Sequence, residues 1–288
     1  MDARDPMTAV VQAPEEVGAP DPAGRTARGP VPLLSAEGVG IRFGGLQALQ
    51  DVSVDVNDDE IVGLIGPNGA GKTTFFNCLT GFYAPTTGTV RVRGEDITDL
   101  RPDQRTALGL GRTFQQVGLV RSFSVLENLL VAQHRNVGYS VPGGLLGTFA
   151  SRREERALRD RAYVVLEELG LAHLADEPLG GLSYGMLKQV EVAAVLATDP
   201  EVLLLDEPLA GLGPEEADAF GDRLLGLRRD LGVTVVIIEH HVPFMLRVCD
   251  YVYVLNFGQL LAEGLPDDIR GNRAVAEAYL GQGATTLA

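Results

Sequence analysis

Residues 66–73 read Gly-Pro-Asn-Gly-Ala-Gly-Lys-Thr, the spacing GxxxxGK[ST]. An apolar run, Ile61–Ile65, leads into them, and a helix-favouring run, Lys72–Leu79, follows. Strand, glycine loop and helix in that order make a cradle for phosphate. Glycine lets successive backbone N–H groups curl around one anion without Cβ clashes. The start of the helix adds unpaired N–H donors and partial positive charge. Lys72 is placed to reach the β- and γ-phosphates, and the Thr73 hydroxyl to ligate Mg²⁺. The chain has 24 Lys plus Arg, of which only Lys72 and Lys188 are lysine. Where arginine is the default cation, a lysine marks a place that needs a compact point charge on a thin stem.

Working outward, Val202-Leu-Leu-Leu-Asp206-Glu207 is an apolar run ending in two acids. Bare carboxylates at the edge of a core are costly, and a bound cation supplies a reason for them. Asp206 is then the Mg²⁺ holder and Glu207 the base that polarises water for attack on a γ-phosphate. Taken alone, Asp before Glu-Pro208 also reads as an ordinary strand-to-turn ending. A second apolar run, Val233–Ile238, ends in Glu239-His240-His241. Ligands of parallel α/β sheets bind beyond the carboxyl ends of the strands, which makes His240 a γ-phosphate contact, with His241 as its competitor.

The 288 residues are 45% apolar, enough for a large core. The charge sum, 24 − 39 = −15, argues against a broad grip on nucleic acid or anionic lipid. Cys78 and Cys249 are far apart, which is neither a disulfide framework nor a metal spacing. Residues 1–31 are rich in Ala, Pro, Gly and mixed charge, and a disordered tail is expected there. Strands are expected at Leu33–Phe43, Leu49–Val56, Ile61–Ile65 and Thr89–Ile97. Residues 116–190 read as an inserted helical subdomain, with helices near Val125–His134 and Ser151–Leu169 and a Gly-rich insert near 137–150. A helix is expected over Pro214–Leu231, closed by Gly232, then a strand, then a hairpin over 251–263. Strands alternating with helices imply an α/β chain with a parallel sheet.

With these motifs in place, the chain resembles the ATP-binding subunit of ABC transporters over about 33–281. The loop 66–73 stands as Walker A and 202–207 as Walker B. LSYGM (182–186) stands at the signature, RTFQQ (112–116) at the Q-loop, AGLGP (210–214) at the D-loop and IEHH (238–241) at the switch. The resemblance implies a P-loop NTPase fold over 32–284: a RecA-like parallel core, an antiparallel β subdomain and the helical insertion. It implies ATP and Mg²⁺ as cofactors. ATP contacts would come from Phe43 (stacking on adenine), Gly66, Pro67, Asn68, Gly69, Ala70, Gly71, Lys72, Thr73, Thr74, Gln115, Ser183 and Gly185. Mg²⁺ would be held by Thr73, Gln115 and Asp206, with Glu207 and His240 catalytic.

It further implies a dimer with nucleotide at its interface, each signature capping the partner's ATP. The resemblance is compatible with both a homodimer and a heterodimer with a second ATPase subunit. The other implied partners are transmembrane permease subunits and a periplasmic or lipid-anchored solute-binding protein, with no nucleic acid. The implied location is the cytoplasmic face of the cell membrane. RFGGLQALQDVSVDV, GRTFQQVGLVRSFSVLENLLVAQHR and AYLG look like the branched-chain (hydrophobic) amino-acid importers. Urea or short-amide uptake, lipopolysaccharide export and a non-transport ABC ATPase are the alternatives. Tyr184, Met186, Gly213 and His241 depart from the family pattern.

Overall fold

The structure is a computed structural model that describes residues 31–113, 118–136 and 149–280. Residues 1–30 of the expected tail, Gln115 and residues 137–148 of the Gly-rich insert lie outside the described residues.

The chain opens with an antiparallel sheet. Strands β1 (Leu34–Phe43), β2 (Leu46–Val56), β4 (Thr87–Val92) and β5 (Glu95–Asp96) lie in the order β2-β1-β4-β5. The second sheet contains β3 (Ile61–Ile65), β6 (Leu110–Arg112), β7 (Val202–Asp206), β8 (Thr234–Ile238), β9 (Tyr251–Asn256) and β10 (Gln259–Gly264). Its order is β10-β9-β3-β8-β7-β6, parallel except for the β9–β10 hairpin. Among the described residues the helices are α1 (Lys72–Leu79), α2 (Pro102–Ala107), α3 (Val125–Ala132), α4 (Phe149–Glu168), α5 (Tyr184–Leu196), α6 (Pro214–Leu231), α7 (Val242–Val248), α8 (Pro266–Arg270) and α9 (Arg273–Leu280).

Strands β3, β7 and β8 are buried at every residue, as expected of parallel strands covered on both faces. The two-residue side-chain period splits them between two cores. Ile61, Ile65, Leu203, Leu205, Val235 and Ile237 join one core with Leu129, Leu166, Val190 and Phe220 of the helices. Val62, Leu64, Val202, Leu204, Val236 and Ile238 join the other, with Phe75 and Phe76 of α1 and Val39 and Val54 of the antiparallel sheet. The central sheet is thus a wall between two hydrophobic layers.

Register fixes where the chemistry lies. Leu64 pairs with Ile238, and Ile238 with Asp206. The ends of β3, β8 and β7 therefore sit side by side, and the loops starting at Gly66, Glu239 and Glu207 leave from one edge. Helix α1 is anchored at its far end by Arg105, a fully buried cation. Its Nη1 donates to Cys78 O at 2.7 Å and Leu79 O at 2.8 Å, its Nε to Leu100 O and its Nη2 to Thr98 O. Cys78 O and Leu79 O lie in the last turn of the helix, where carbonyls run short of intrahelical donors, and a cation there also suits the helix dipole.

The run expected as one strand over Thr89–Ile97 is a hairpin instead. Arg93 and Gly94 both have positive φ, 50° and 80°, between the pairs Arg91–Asp96 and Val92–Glu95. Two such residues form the tight turn that matches strand twist, and Gly94 was its signal. The expected strand at Leu49–Val56 begins earlier, at Leu46, because Phe43 pairs with Leu46. Helix α6 spans the expected residues, with Gly232 at φ 63° donating its N–H to Arg228 O.

Candidate active site

The loop 66–73 is shaped by close backbone packing. Gly66, Gly69 and Gly71 have positive φ of 153°, 79° and 103°. A Cβ on Gly66 would run into the carbonyl of Leu255 at the end of β9. One on Gly71 would lie 2.8 Å from Leu49 Cδ2 and 3.0 Å from Ala48 O of β2. Gly258 N–H also donates to Ala70 O at 2.9 Å. The loop is therefore held by both sheets. Helix α1 starts at Gly71 with no side-chain cap and no acid in its first turn, so its leading N–H groups are available to an anion.

Lys72 is 8% exposed. Its ammonium donates to Gly66 O at 2.7 Å and Pro67 O at 3.0 Å. Burial lowers its pKa below the ordinary lysine value, and the carboxylates of Glu207, Asp206 and Glu239 pull the other way. A desolvated ammonium at the mouth of a glycine loop gains most from an oxyanion placed between its stem and the loop N–H groups.

Asp206 ends β7 with its side chain 1% exposed. Its N–H donates to Thr113 Oγ1 at 3.1 Å. Arg112, on the neighbouring β6, donates through Nη2 to Asp206 Oδ2 at 3.0 Å. Its Nη1 donates to Asn77 Oδ1 at 2.7 Å and Thr80 Oγ1 at 2.8 Å, and the guanidinium lies over the ring of Phe76. Asp206 Oδ1 is buried without a hydrogen-bond partner. A buried anionic oxygen with no donor fits a hard divalent cation. Among the described residues no group of three or more His, Cys, Asp or Glu could hold a metal.

Glu207 follows with φ 50°, a left-handed conformation that costs a non-glycine residue about 1–3 kcal/mol. Its N–H donates to Ile238 O at 3.0 Å, which ties it to the end of β8. His240 leaves that end with its side chain 65% exposed. Between β8 and His240 lies Glu239, completely buried, its carboxylate accepting from Leu209 N–H and His240 N–H.

The structure thus gathers Lys72, Asp206, Glu207 and His240 at one sheet edge. Ser183 and Gly185 stand at the start of α5. The Ser183 hydroxyl accepts from Met186 N–H at 3.3 Å as the helix cap. A Cβ on Gly185 would lie 2.6 Å from Leu212 Cδ2 and 2.7 Å from Gly211 O, so only glycine lets the helix start press on the loop 207–213. Two departures from the family pattern have local reasons. Tyr184 Cδ1 packs against the site where a Gly211 Cβ would be, and Gly213 caps α6 with its N–H on Glu216 Oε2. Phe43 is 44% exposed and meets Tyr83 edge to face at 5.2 Å. Gln115 lies outside the described residues.

Arg112 and Glu239 were not singled out from sequence. Arg112 lay in plain view within RTFQQ, and Glu239 was a charge closing an otherwise apolar strand.

The ABC transporter family matches residues 49–210, and the family described as branched-chain amino acid ATP-binding cassette transporter matches 259–285. LivG of Salmonella typhimurium, a high-affinity branched-chain amino acid transport ATP-binding protein, is 45% identical over 251 residues, 87% of this chain and 98% of the relative. A solved ATP-binding cassette of an ABC transporter in its ADP conformation superposes with a TM-score of 0.75 at 35% identity, covering 87% of this chain and 99% of that one. A dimeric cassette in a post-hydrolysis state bound to ADP and Pi gives 0.68 at 25% identity, covering 81% and 98%. The chain belongs to the ATP-binding proteins of ABC transporters, in the branched-chain amino-acid transport branch.

Proposed function

We propose that this chain hydrolyses ATP to drive import of branched-chain amino acids through separate permease subunits. The observation that carries the solute class is the near full-length likeness to LivG; the observation that carries the chemistry is the meeting of Lys72, Asp206 and Glu207 at one sheet edge.

The backbone N–H groups of residues 66–74, apart from Pro67, which has none, cradle the phosphates, and Lys72 moves from the Gly66 and Pro67 carbonyls to phosphate oxygens. Phe43 stacks on adenine. Thr73, Asp206 and Gln115 would hold Mg²⁺, with the unpartnered Asp206 Oδ1 as its buried ligand, and the ion would supply positive charge to the phosphates. Glu207 takes the proton of the attacking water, and His240 contacts the γ-phosphate. Ser183 and Gly185 present the α5 N-terminus to the nucleotide of a second ATPase subunit. ATP then favours the closed dimer, and its hydrolysis removes the shared contacts.

A groove of about 380 Å³ supports a permease contact. Phe82, Leu119, Val131 and Val195 give it apolar walls, and Arg112 reaches it from the Asp206 pair. A short helix of a permease subunit seated there would touch the residue that holds Asp206. No helix among the described residues is long and apolar enough to cross a membrane. The membrane path is proposed for the permease subunits. The proposed place of work is the cytoplasmic face of the membrane, with a solute-binding protein delivering the amino acid from outside.

The test is ATP-dependent uptake of labelled leucine into vesicles that carry the permease subunits, this chain and the solute-binding protein. Uptake that is lost with Lys72→Ala supports the proposal. Urea uptake without leucine uptake would overturn the solute class while leaving the ATPase standing.

A further inference from the structure

Glu239 is a buried carboxylate that the roles above leave unused. Its side chain is 0% exposed at the end of β8. Its Oε1 accepts from Leu209 N–H at 2.8 Å and its Oε2 from His240 N–H at 3.0 Å. His240 Nδ1 lies 3.5 Å from the same Oε2. One carboxylate therefore holds two different loops: the one that carries Glu207 away from β7 and the one that begins with His240.

A side chain needed only to fill space would be apolar, because burying a carboxylate costs free energy that packing does not return. Here burial pushes the Glu239 pKa up, and nearby Glu207 pushes the same way, against the two N–H bonds and His240. The group is kept at that cost beside a second strained feature. Glu207 has φ 50°, and a conformation of this kind persists only when its surroundings over-determine it. Glu207 is held on one side by its own N–H on Ile238 O. On the other side the chain is held two residues later, at Leu209, by Glu239.

We propose that Glu239 is a positioning residue that clamps the Leu209 and His240 backbones together, so that Glu207 and His240 keep one fixed arrangement toward the phosphate loop. The inference rests on the roles proposed above for Glu207 and His240. It predicts a specific split in kinetics. The two hydrogen bonds of Glu239 go to Leu209 and His240, not to the loop 66–73 or Phe43, and removing its charge leaves one fewer carboxylate acting on Lys72, so ATP binding does not weaken. Turnover depends on the two side chains that it does hold.

Glu239→Gln tests this. Gln keeps the length and one acceptor oxygen, but its NH₂ group meets the N–H of the other loop. The loss of one charge-assisted hydrogen bond in the transition-state arrangement gives a fall in kcat of about 10- to 100-fold. KM and the directly measured Kd for ATP rise by no more than about twofold over wild type. A kcat that stays at the wild-type value, or a kcat and Kd that worsen together, overturns the clamp. Glu207→Gln is measured alongside. If it retains turnover, the site assignment itself has failed; if it is inactive while Glu239→Gln is normal, only the clamp has failed. Should Glu239→Gln not fold, amide exchange in the wild-type protein decides. Leu209 and His240 amides with matched protection support the clamp, and a freely exchanging Leu209 amide beside a protected His240 amide refutes it.

Discussion

Arg112→Met is the substitution whose effect follows most directly from the geometry. Met fills much of the same space but removes every donor. The Arg112 and Asp206 side chains are 6% and 1% exposed, so water neither screens the pair nor replaces it. Without the guanidinium, Asp206 Oδ2 joins Oδ1 as a buried oxygen with no donor, and Asn77 Oδ1 and Thr80 Oγ1 each lose their bond to Arg112. Breaking a buried pair from one side costs about 3–5 kcal/mol. At about 2–4 °C per kcal/mol for a chain of this size, the apparent Tm falls by about 6–20 °C. Arg112→Lys keeps the charge, but one ammonium on a flexible stem does not reproduce a planar fork that reaches three acceptors, so it falls between. Thermal unfolding, followed by circular dichroism, reads both. With Asp206 in its proposed role as a Mg²⁺ ligand, MgATP should raise the Tm of Arg112→Met more than that of wild type, and ATP with EDTA should not. A fall of less than about 2 °C would refute the claim that Arg112 neutralises Asp206.

Other expectations follow from the same site. Lys72→Ala removes the buried ammonium to which we assign the phosphates, and ATP affinity measured by calorimetry should drop by at least about 100-fold; an unchanged affinity sinks its assignment. Phe43→Ala should raise the Kd for ATP about fivefold or more, the low end for loss of a stacking partner, while Mg-tripolyphosphate binds as before. Equal losses for both ligands would mean that Phe43 acts on the loop and not on the base. Burial raises the Cys78 pKa to about 11, so its thiolate fraction at pH 8 is about one in a thousand and grows only as pH approaches that value. Cys249 is shifted upward as well. Native protein should therefore resist maleimide at pH 8, and both thiols should react once it is unfolded. Fast labelling of the native protein would contradict the burial of both.

What could be read from the residues was whatever is local. Lys72 stands in an eight-residue motif, and Asp206-Glu207 and His240 each close an apolar run, so their positions at strand ends followed from pattern alone. That these ends meet follows from the strand order, which places β8 between β3 and β7. Two things escaped. Arg112 acts across the sheet, from β6 onto Asp206, 94 residues away in sequence. Glu239 acts through its two oxygens on backbone N–H groups, a contact that leaves no mark on periodicity. Short elements escaped for a plainer reason. Strand β6 has three residues and α2 six, too few for either a two-residue or a 3.6-residue period to emerge. The departures at Tyr184 and Gly213 stand in a motif comparison only as unexpected residues. In the structure they are packing on Gly211 and a helix start bonded to Glu216.

The central claim is that Glu207 activates water on ATP held by the loop 66–73. The most direct measurement is MgATP turnover and ATP affinity on wild type and Glu207→Gln, with the mass of each in solution followed by light scattering. The account predicts that Glu207→Gln binds ATP as tightly as wild type, turns over at least about 100-fold more slowly, and accumulates as an ATP-bound dimer. Turnover of Glu207→Gln at the wild-type rate would contradict it.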